Sequence, residues 1–343
     1  MEQLSVFSCG SCLLDIICTV SEDFVTGNGL KIGSTTHVEE KHMKIVELIK
    51  KEDCTYRPGS SPLNTLRTIQ WISNRTRPVC TYMGVIGDDH YGGLLAQKLK
   101  ESGVNVMYYT KEGGRTGTCT VMVSNKERTL LTDIAVGRDG ETFLSHYQSE
   151  QISNALKNSD IIVSTGFLLT INPNTAVSQS IYSTENNKIL AFSLAATFIV
   201  HKFKSELNEI MPHVNYLFGN KLEAEALNDM MGWGHTNILD IARSASKIKN
   251  KSSRPRVVVF TQGCDKIIVA VDGECTEYDA RNIKEDFVAD TNGAGDSFMG
   301  GFVAGLTFNK TIEECIECAI YCSVSVLGEV GCHFKKEPAF KLD

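Results

Sequence analysis

Long apolar runs, charge of a single sign and chain-breaking linkers are all scarce in this sequence. No uninterrupted apolar stretch approaches the roughly 18 residues that a membrane-spanning helix needs. Only 7 prolines and 2 tryptophans occur in 343 residues, and no Pro/Gly/Ser-rich or low-complexity stretch separates one part of the chain from another. No internal repeat recurs, which sets aside repeat architectures. The 34 Lys and Arg against 41 Asp and Glu leave a net charge of −7. That acidic balance argues against a general binder of nucleic acid or anionic membrane. Nothing at the start reads as a secretory leader, so the expected compartment is the cytoplasm, with nuclear presence left open.

Cysteine is not scarce: there are 12. In a long chain with many of them in apolar runs, free and often buried thiols are the expectation. Cys9-x-x-Cys12 and Cys315-x-x-Cys318 have the local spacing of metal ligands. Cys315, Cys318 and Cys322, however, recur at helical spacing within an apolar segment, which points to core packing. With 42% hydrophobic and 22% charged residues, the chain can bury a large core as one big α/β unit or two smaller ones.

The later half alternates apolar strands with helical patterns. Strands are expected at 161–165, 189–194, 214–219 and 257–261, with helices near 174–184, 202–210 and 311–326. This alternation predicts a parallel sheet covered on both faces. In the first half, 6–17 reads as one strand bent at Gly10, and 79–86 as a strand followed by a helix over 94–100. A short strand at 104–109 follows, then a hairpin made of 116–123 and 128–134. Helices are expected over Val38–Lys51 and through Leu66, Ile69 and Trp71-Ile72, the latter with Ser61 as candidate N-cap and Pro62 suited to its first position.

Three places carry candidate chemistry. Asp290-Thr291-Asn292-Gly293-Ala294-Gly295-Asp296 follows a strand end at Phe287–Ala289 and opens a helix through Phe298, Phe302 and Val303. Strand, Gly-rich turn and helix N-terminus make an anion cradle, because unpaired N–H groups and the helix dipole point at one spot. Asp296 reads either as a cap after a Gly turn or as a base beside a bound phosphate. Asp15, between Leu14 and Ile16, either faces water from an edge strand or meets hydroxyls or a cation. Asn220 and Glu223 satisfy a capping box, and are also oxygen ligands of the kind Mg²⁺ takes through water.

Taken in order, these stretches resemble the ribokinase-like (PfkB) family of sugar and nucleoside kinases, in register from about Phe7 to Phe340. The Gly-rich string resembles its C-terminal signature, and the 84–92 segment its first signature. The region around Asp15, Gly59-Ser60-Ser61-x-x-Asn64 and 167–170 narrows the likeness to the adenosine kinases within it. The resemblance implies one kinase domain over 1–343, with a central, mostly parallel sheet covered by helices on both faces. A small β/α lid would be built from about 17–65 and 116–138. It implies ATP- and Mg²⁺-dependent phosphorylation of a nucleoside 5′-hydroxyl, adenosine first, by a monomer.

By resemblance, Asp296 is the base, Gly293, Ala294 and Gly295 hold the oxyanion, and Arg128 meets the transferred phosphate. Asp15, Ser11, Asn64 and Asn292 fall on the acceptor's sugar side, and Gly59 and Ser60 form the hinge of the lid. Cys119, Leu130, Ile134, Leu168 and Phe198 surround the base. Thr261 and Gly263 contact the nucleotide, and Asn220 and Glu223 organise Mg²⁺ through water. Ser11, Thr35, His37, Ser60 and Leu168 depart from the family pattern, all on the acceptor side. They leave as alternatives a same-fold kinase for another nucleoside or sugar, or a weakly active or non-catalytic relative.

Overall fold

The computed structural model describes residues 3–39, 42–49, 54–73, 79–125, 127–284, 287–334 and 337–342. The strands in chain order are β1 (Val6–Cys9), β2 (Leu13–Thr19), β3 (Thr35–His37), β4 (Thr55–Gly59), β5 (Cys80–Gly87), β6 (Asn105–Lys111) and β7 (Gly117–Ser124). They continue with β8 (Glu127–Asp133), β9 (Ile161–Thr165), β10 (Ile189–Ser193), β11 (Tyr216–Asn220), β12 (Val257–Thr261), β13 (Ile267–Val271) and β14 (Glu274–Tyr278). Among the described residues they form a large sheet ordered β14-β13-β12-β11-β10-β9-β1-β5-β6 and a smaller one ordered β3-β8-β7-β2-β4. The large sheet is parallel from β6 to β12, and β13 and β14 add an antiparallel edge.

Strand β9 is buried along its whole length and β12 along all but its last residue, as a sheet covered on both faces requires. Successive residues serve opposite cores. Phe7, Met83, Ile162, Phe192 and Leu217 pack with Phe143, Ala176, Leu207 and Leu227 on one face. Their neighbours Val6, Tyr82, Val163, Ala191 and Phe218 pack with Leu66, Leu95, Phe302 and Ile316 on the other. No helix among the described residues is long and apolar enough to cross a membrane.

Several expectations need correction. The stretch 6–17 is two strands in different sheets, because the chain leaves the large sheet at Gly10. A Cβ at Gly10 would stand 2.9 Å from Pro62 Cγ. The helix expected over Val38–Lys51 runs Met43–Ile49; residues 40, 41, 50 and 51, the hairpin residue Lys126, and the side chains of Thr35 and His37 lie outside what is described. The helix near 202–210 is two short ones, Thr197–Lys202 and Lys204–Ile210. Phe287–Ala289 is a loop, with Phe287 49% exposed and Ala289 N–H bonded to Leu327 O at 2.7 Å.

Nor are all cysteines free. Cys18 and Cys54 form a disulfide with Cα atoms 4.8 Å apart. The cause is register: Ile17 pairs with Thr55 in antiparallel β2 and β4, so the next residue outward on each strand faces its counterpart at bonding distance. The ten others are free.

Candidate active site

Strand β1 has β5 on one side and β9 on the other, so the chain order reverses beside it. Ligands of such sheets collect outside the carboxyl ends of the strands near that reversal. A cavity of about 310 Å³ lies there, lined by strand-end residues Ser193, Asn220 and Thr261 from the large sheet and by Leu13, Asp15, Ile17, Cys119, Val121 and Leu130 from the smaller one.

The Ala294–Thr307 helix points its N-terminus into this cavity. Gly293 caps it at φ +78, a conformation that favours glycine, and a Cβ there would meet Cys332 Cβ at 2.8 Å. At Gly295 a Cβ would have nothing within 4 Å, so the backbone is open to the cavity. Ala294 N–H turns back to Thr291 O at 3.2 Å. The following helix is buried from Ser297 to Thr307. It packs closely on the Ser61–Ile72 helix because Gly300 has no side chain; a Cβ would stand 2.6 Å from Thr68 Cβ.

That packing brings Asp296 to the start of the second helix. Its carboxylate accepts from Ser61 Oγ at 2.6 Å and from Asn64 Nδ2 at 3.0 Å. Burial pushes its pKa up, and the two hydrogen bonds pull it back. Sequence pattern alone makes Ser61 the candidate cap of its own helix. The cap is Ser60, which makes no side-chain capping bond, and the Ser61 hydroxyl serves Asp296. Nothing local in the sequence signals that contact, which crosses 235 residues.

Asp15 lies on β2 opposite Arg57 of β4. Burial raises its carboxyl to about 7, with Arg67 and Arg57 opposing and Asp296 reinforcing the rise. Gly59 contributes by lacking a side chain, since a Cβ would stand 2.1 Å from Asp15 Oδ1. Ser60, beside it, sits at φ +84. Its Oγ is buried without a well-formed hydrogen bond, although it neighbours the Tyr82 hydroxyl, which donates to Ser11 O at 2.8 Å.

Arg128 extends from β8 to the start of the Gly-rich bend. It pairs with Asp290, and its Nη2 donates to Ala289 O at 3.0 Å. Burial, with Arg57 adding, lowers its pKa to about 10. Asn220 and Glu223 form the capping box in full, with Glu223 N–H to Asn220 Oδ1 at 2.9 Å and Asn220 N–H to Glu223 Oε2 at 3.0 Å. Both also line the cavity, so the cap does not displace the ligand reading. Burial raises the Glu223 carboxyl, the Asn220 amide opposes this, and Asp296 adds to the rise.

Asn64, Ser60, Asn292, Gly293 and Gly295 also border the cavity. Eight expected residues stand outside its lining, among them Gly59, Arg128 and Ala294. Leu168 is 1% exposed and packs in the core; the aromatic wall comes from the preceding residue, Phe167. Phe198 is 48% exposed, its ring 6.3 Å from that of Phe167. Ser11 offers its carbonyl to Tyr82, and Ile134 introduces the short turn of helix 135–138. Gly263, at φ +66, lines a second cavity of about 380 Å³ with Val288, Ala294 and Val324. Thr261, Gly295 and Phe298 border both cavities, so the Gly-rich turn separates two chambers. Among the described residues no group of three or more His, Cys, Asp or Glu could hold a metal ion.

Residues 28–339 match the pfkB family carbohydrate kinases. The chain is 32% identical over 333 residues to adenosine kinase 2 of Arabidopsis thaliana, covering 96% of each. It is 30% identical over 331 residues to adenosine kinase of Dictyostelium discoideum, again covering 96% of each. Among solved structures, Anopheles gambiae adenosine kinase in complex with P1,P4-di(adenosine-5) tetraphosphate matches with TM-score 0.89 and 30% identity, over 99% of this chain and 100% of that one. Trypanosoma brucei brucei adenosine kinase matches with TM-score 0.91 and 29% identity, over 96% and 100%.

Proposed function

We propose, from the premise that this chain belongs to the pfkB family of carbohydrate kinases, that it phosphorylates the 5′-hydroxyl of adenosine with ATP, giving AMP and ADP. Family membership makes it a phosphotransferase acting on a hydroxyl; the acceptor and the residue roles are our reading. The supporting observation is the Asp296 carboxylate, held by Ser61 and Asn64 at the mouth of a Gly-led helix N-terminus in a two-sheet cavity.

Asp296 takes the proton of the acceptor hydroxyl. An aspartate is a weak base, so most of the rate comes from aligning hydroxyl and phosphate and from neutralising charge. The backbone of Gly293 and Gly295 cradles the developing oxyanion, with Arg128 beside the bend, while Ala294 N–H stays with Thr291 O. Asp15 and Asn64 orient the ribose, while Ile17, Cys119, Val121 and Leu130 face the base opposite Phe167. The nucleotide donor occupies the second chamber beside Thr261 and Gly263. The smaller sheet acts as a lid, and its closure excludes water that would otherwise hydrolyse ATP. The product, AMP, makes this a purine-salvage step.

Mg²⁺ fits the donor set as a hydrated ion. Asp296 raises the proton affinity of Glu223, a repulsion a cation relieves, and an ion that keeps its waters and binds mainly to phosphate needs few protein ligands. Asn220 and Glu223 would hold it through water, and it would supply charge neutralisation on the phosphates.

The test is ADP release from ATP and Mg²⁺ with a panel of nucleosides and sugars. Adenosine turnover above all other acceptors is the expected result. A different preferred acceptor would select a same-fold kinase of other specificity, and nucleoside binding without turnover a non-catalytic relative.

A further inference from the structure

Asp290 has no part in the steps above, yet it is 7% exposed and its carboxylate is fully engaged. Oδ1 accepts Asn292 N–H at 2.8 Å, Oδ2 accepts Gly331 N–H at 2.6 Å, and Oδ2 also pairs with Arg128. The first contact closes an Asx-type turn at the start of the Gly-rich bend. The second ties that bend to residues 331–332, and Cys332 packs against Gly293. The third joins it to β8 of the smaller sheet, where Arg128 also donates to Ala289 O at 3.0 Å. Across the same gap Arg57, from β4, donates to Val330 O.

Arg128 has only 9% of its side chain exposed, and a buried guanidinium requires a counter-charge. Its planar fork of donors can serve one anion on each edge, which a lysine's point charge does not do with fixed geometry. We infer that Asp290 is a positioning residue for phosphoryl transfer. It holds the Gly293–Gly295 bend in its anion-accepting shape and parks Arg128 beside that bend. Docking of the smaller sheet and shaping of the cradle then become a single event. The catalytic half of this claim rests on the proposed kinase reaction, and the structural half does not.

The test is a double-mutant cycle on the full chain with Asp290→Asn, Arg128→Gln and both together. Each single change lowers kcat/KM for ATP by about 100-fold, the scale of removing one oriented transition-state donor. The pair together falls no more than roughly threefold further, because both remove one coupling. Added guanidinium ion restores turnover to Arg128→Ala and does not restore it when Asp290→Asn is also present. Hydrogen exchange supplies a readout independent of activity: amides of β8 and of Gly331 exchange faster in Asp290→Asn. If that variant does not fold, Asp290→Glu keeps the charge and should retain guanidinium rescue of Arg128→Ala. Additive losses, rescue that ignores the residue at 290, or unchanged β8 exchange would overturn the inference. A wild-type chain inactive on every nucleoside but showing the exchange effect would sink the reaction and leave the positioning role standing.

Discussion

Ser60 holds φ +84 and ψ 133 between β4 and the helix that carries Ser61 and Asn64. A residue with a side chain in that region is strained by about 2 kcal/mol. Its buried hydroxyl, lacking a well-formed hydrogen bond, costs about 1 kcal/mol more. Replacing Ser60 with glycine removes both terms and gives back about 1 kcal/mol through the freer unfolded chain. Ser60→Gly should therefore stabilise by about 2 kcal/mol, which for 343 residues corresponds to a rise in Tm of about 3 °C. Ser60→Ala keeps the positive φ and loses only the hydroxyl, so it should gain about half as much or less. Thermal unfolding of the three proteins in parallel reads both numbers. A glycine variant that melts at or below the wild type would refute the strain argument, and an alanine variant equal to glycine would assign the effect to the hydroxyl alone.

Two further predictions follow from the smaller sheet. Asp15 has its carboxyl raised to about 7 by burial, above an unfolded value of about 4. The folded state therefore keeps a proton that the unfolded state has released, and stability falls as pH rises through that window, levelling off above it. Urea midpoints between pH 4 and 8 should lose this slope in Asp15→Asn; equal slopes in both proteins would contradict the assignment. The Cys18–Cys54 link closes a separation of 36 residues, worth about 4 kcal/mol in the chain-entropy treatment. Thiol titration of the denatured, unreduced chain should find ten free thiols, and reduction should lower the unfolding midpoint. Reaction of every cysteine before reduction would show the pair is not formed.

How far the sequence carries is clearest residue by residue. The β9 and β12 strands announce themselves because burial on both faces demands continuous apolar runs. The Gly-rich bend is equally legible, since a left-handed residue at 293 favours glycine. Contacts made by register or across sheets were not. Ser61 looked like a cap because capping is local, whereas its bond to Asp296 depends on how two helices pack through Gly300. Leu168 and Phe167 differ by one position, and a one-residue shift at a helix start decides which side chain faces the cavity. The disulfide depended on the alignment of β2 with β4, and Asp290 on a guanidinium arriving from another sheet.

The claim at the centre is that Asp296 performs chemistry and not merely capping. Asp296→Asn keeps the size while removing the base, and its amide can still accept from Asn64 Nδ2 and donate to Ser61 Oγ. Measured with adenosine, ATP and Mg²⁺, kcat should fall on the order of 10³-fold, within the range of general-base contributions. Adenosine Kd, read by calorimetry, should stay within roughly threefold, as expected when only a transition-state interaction is lost. Turnover that survives the substitution, or a loss found entirely in adenosine binding, would contradict the account.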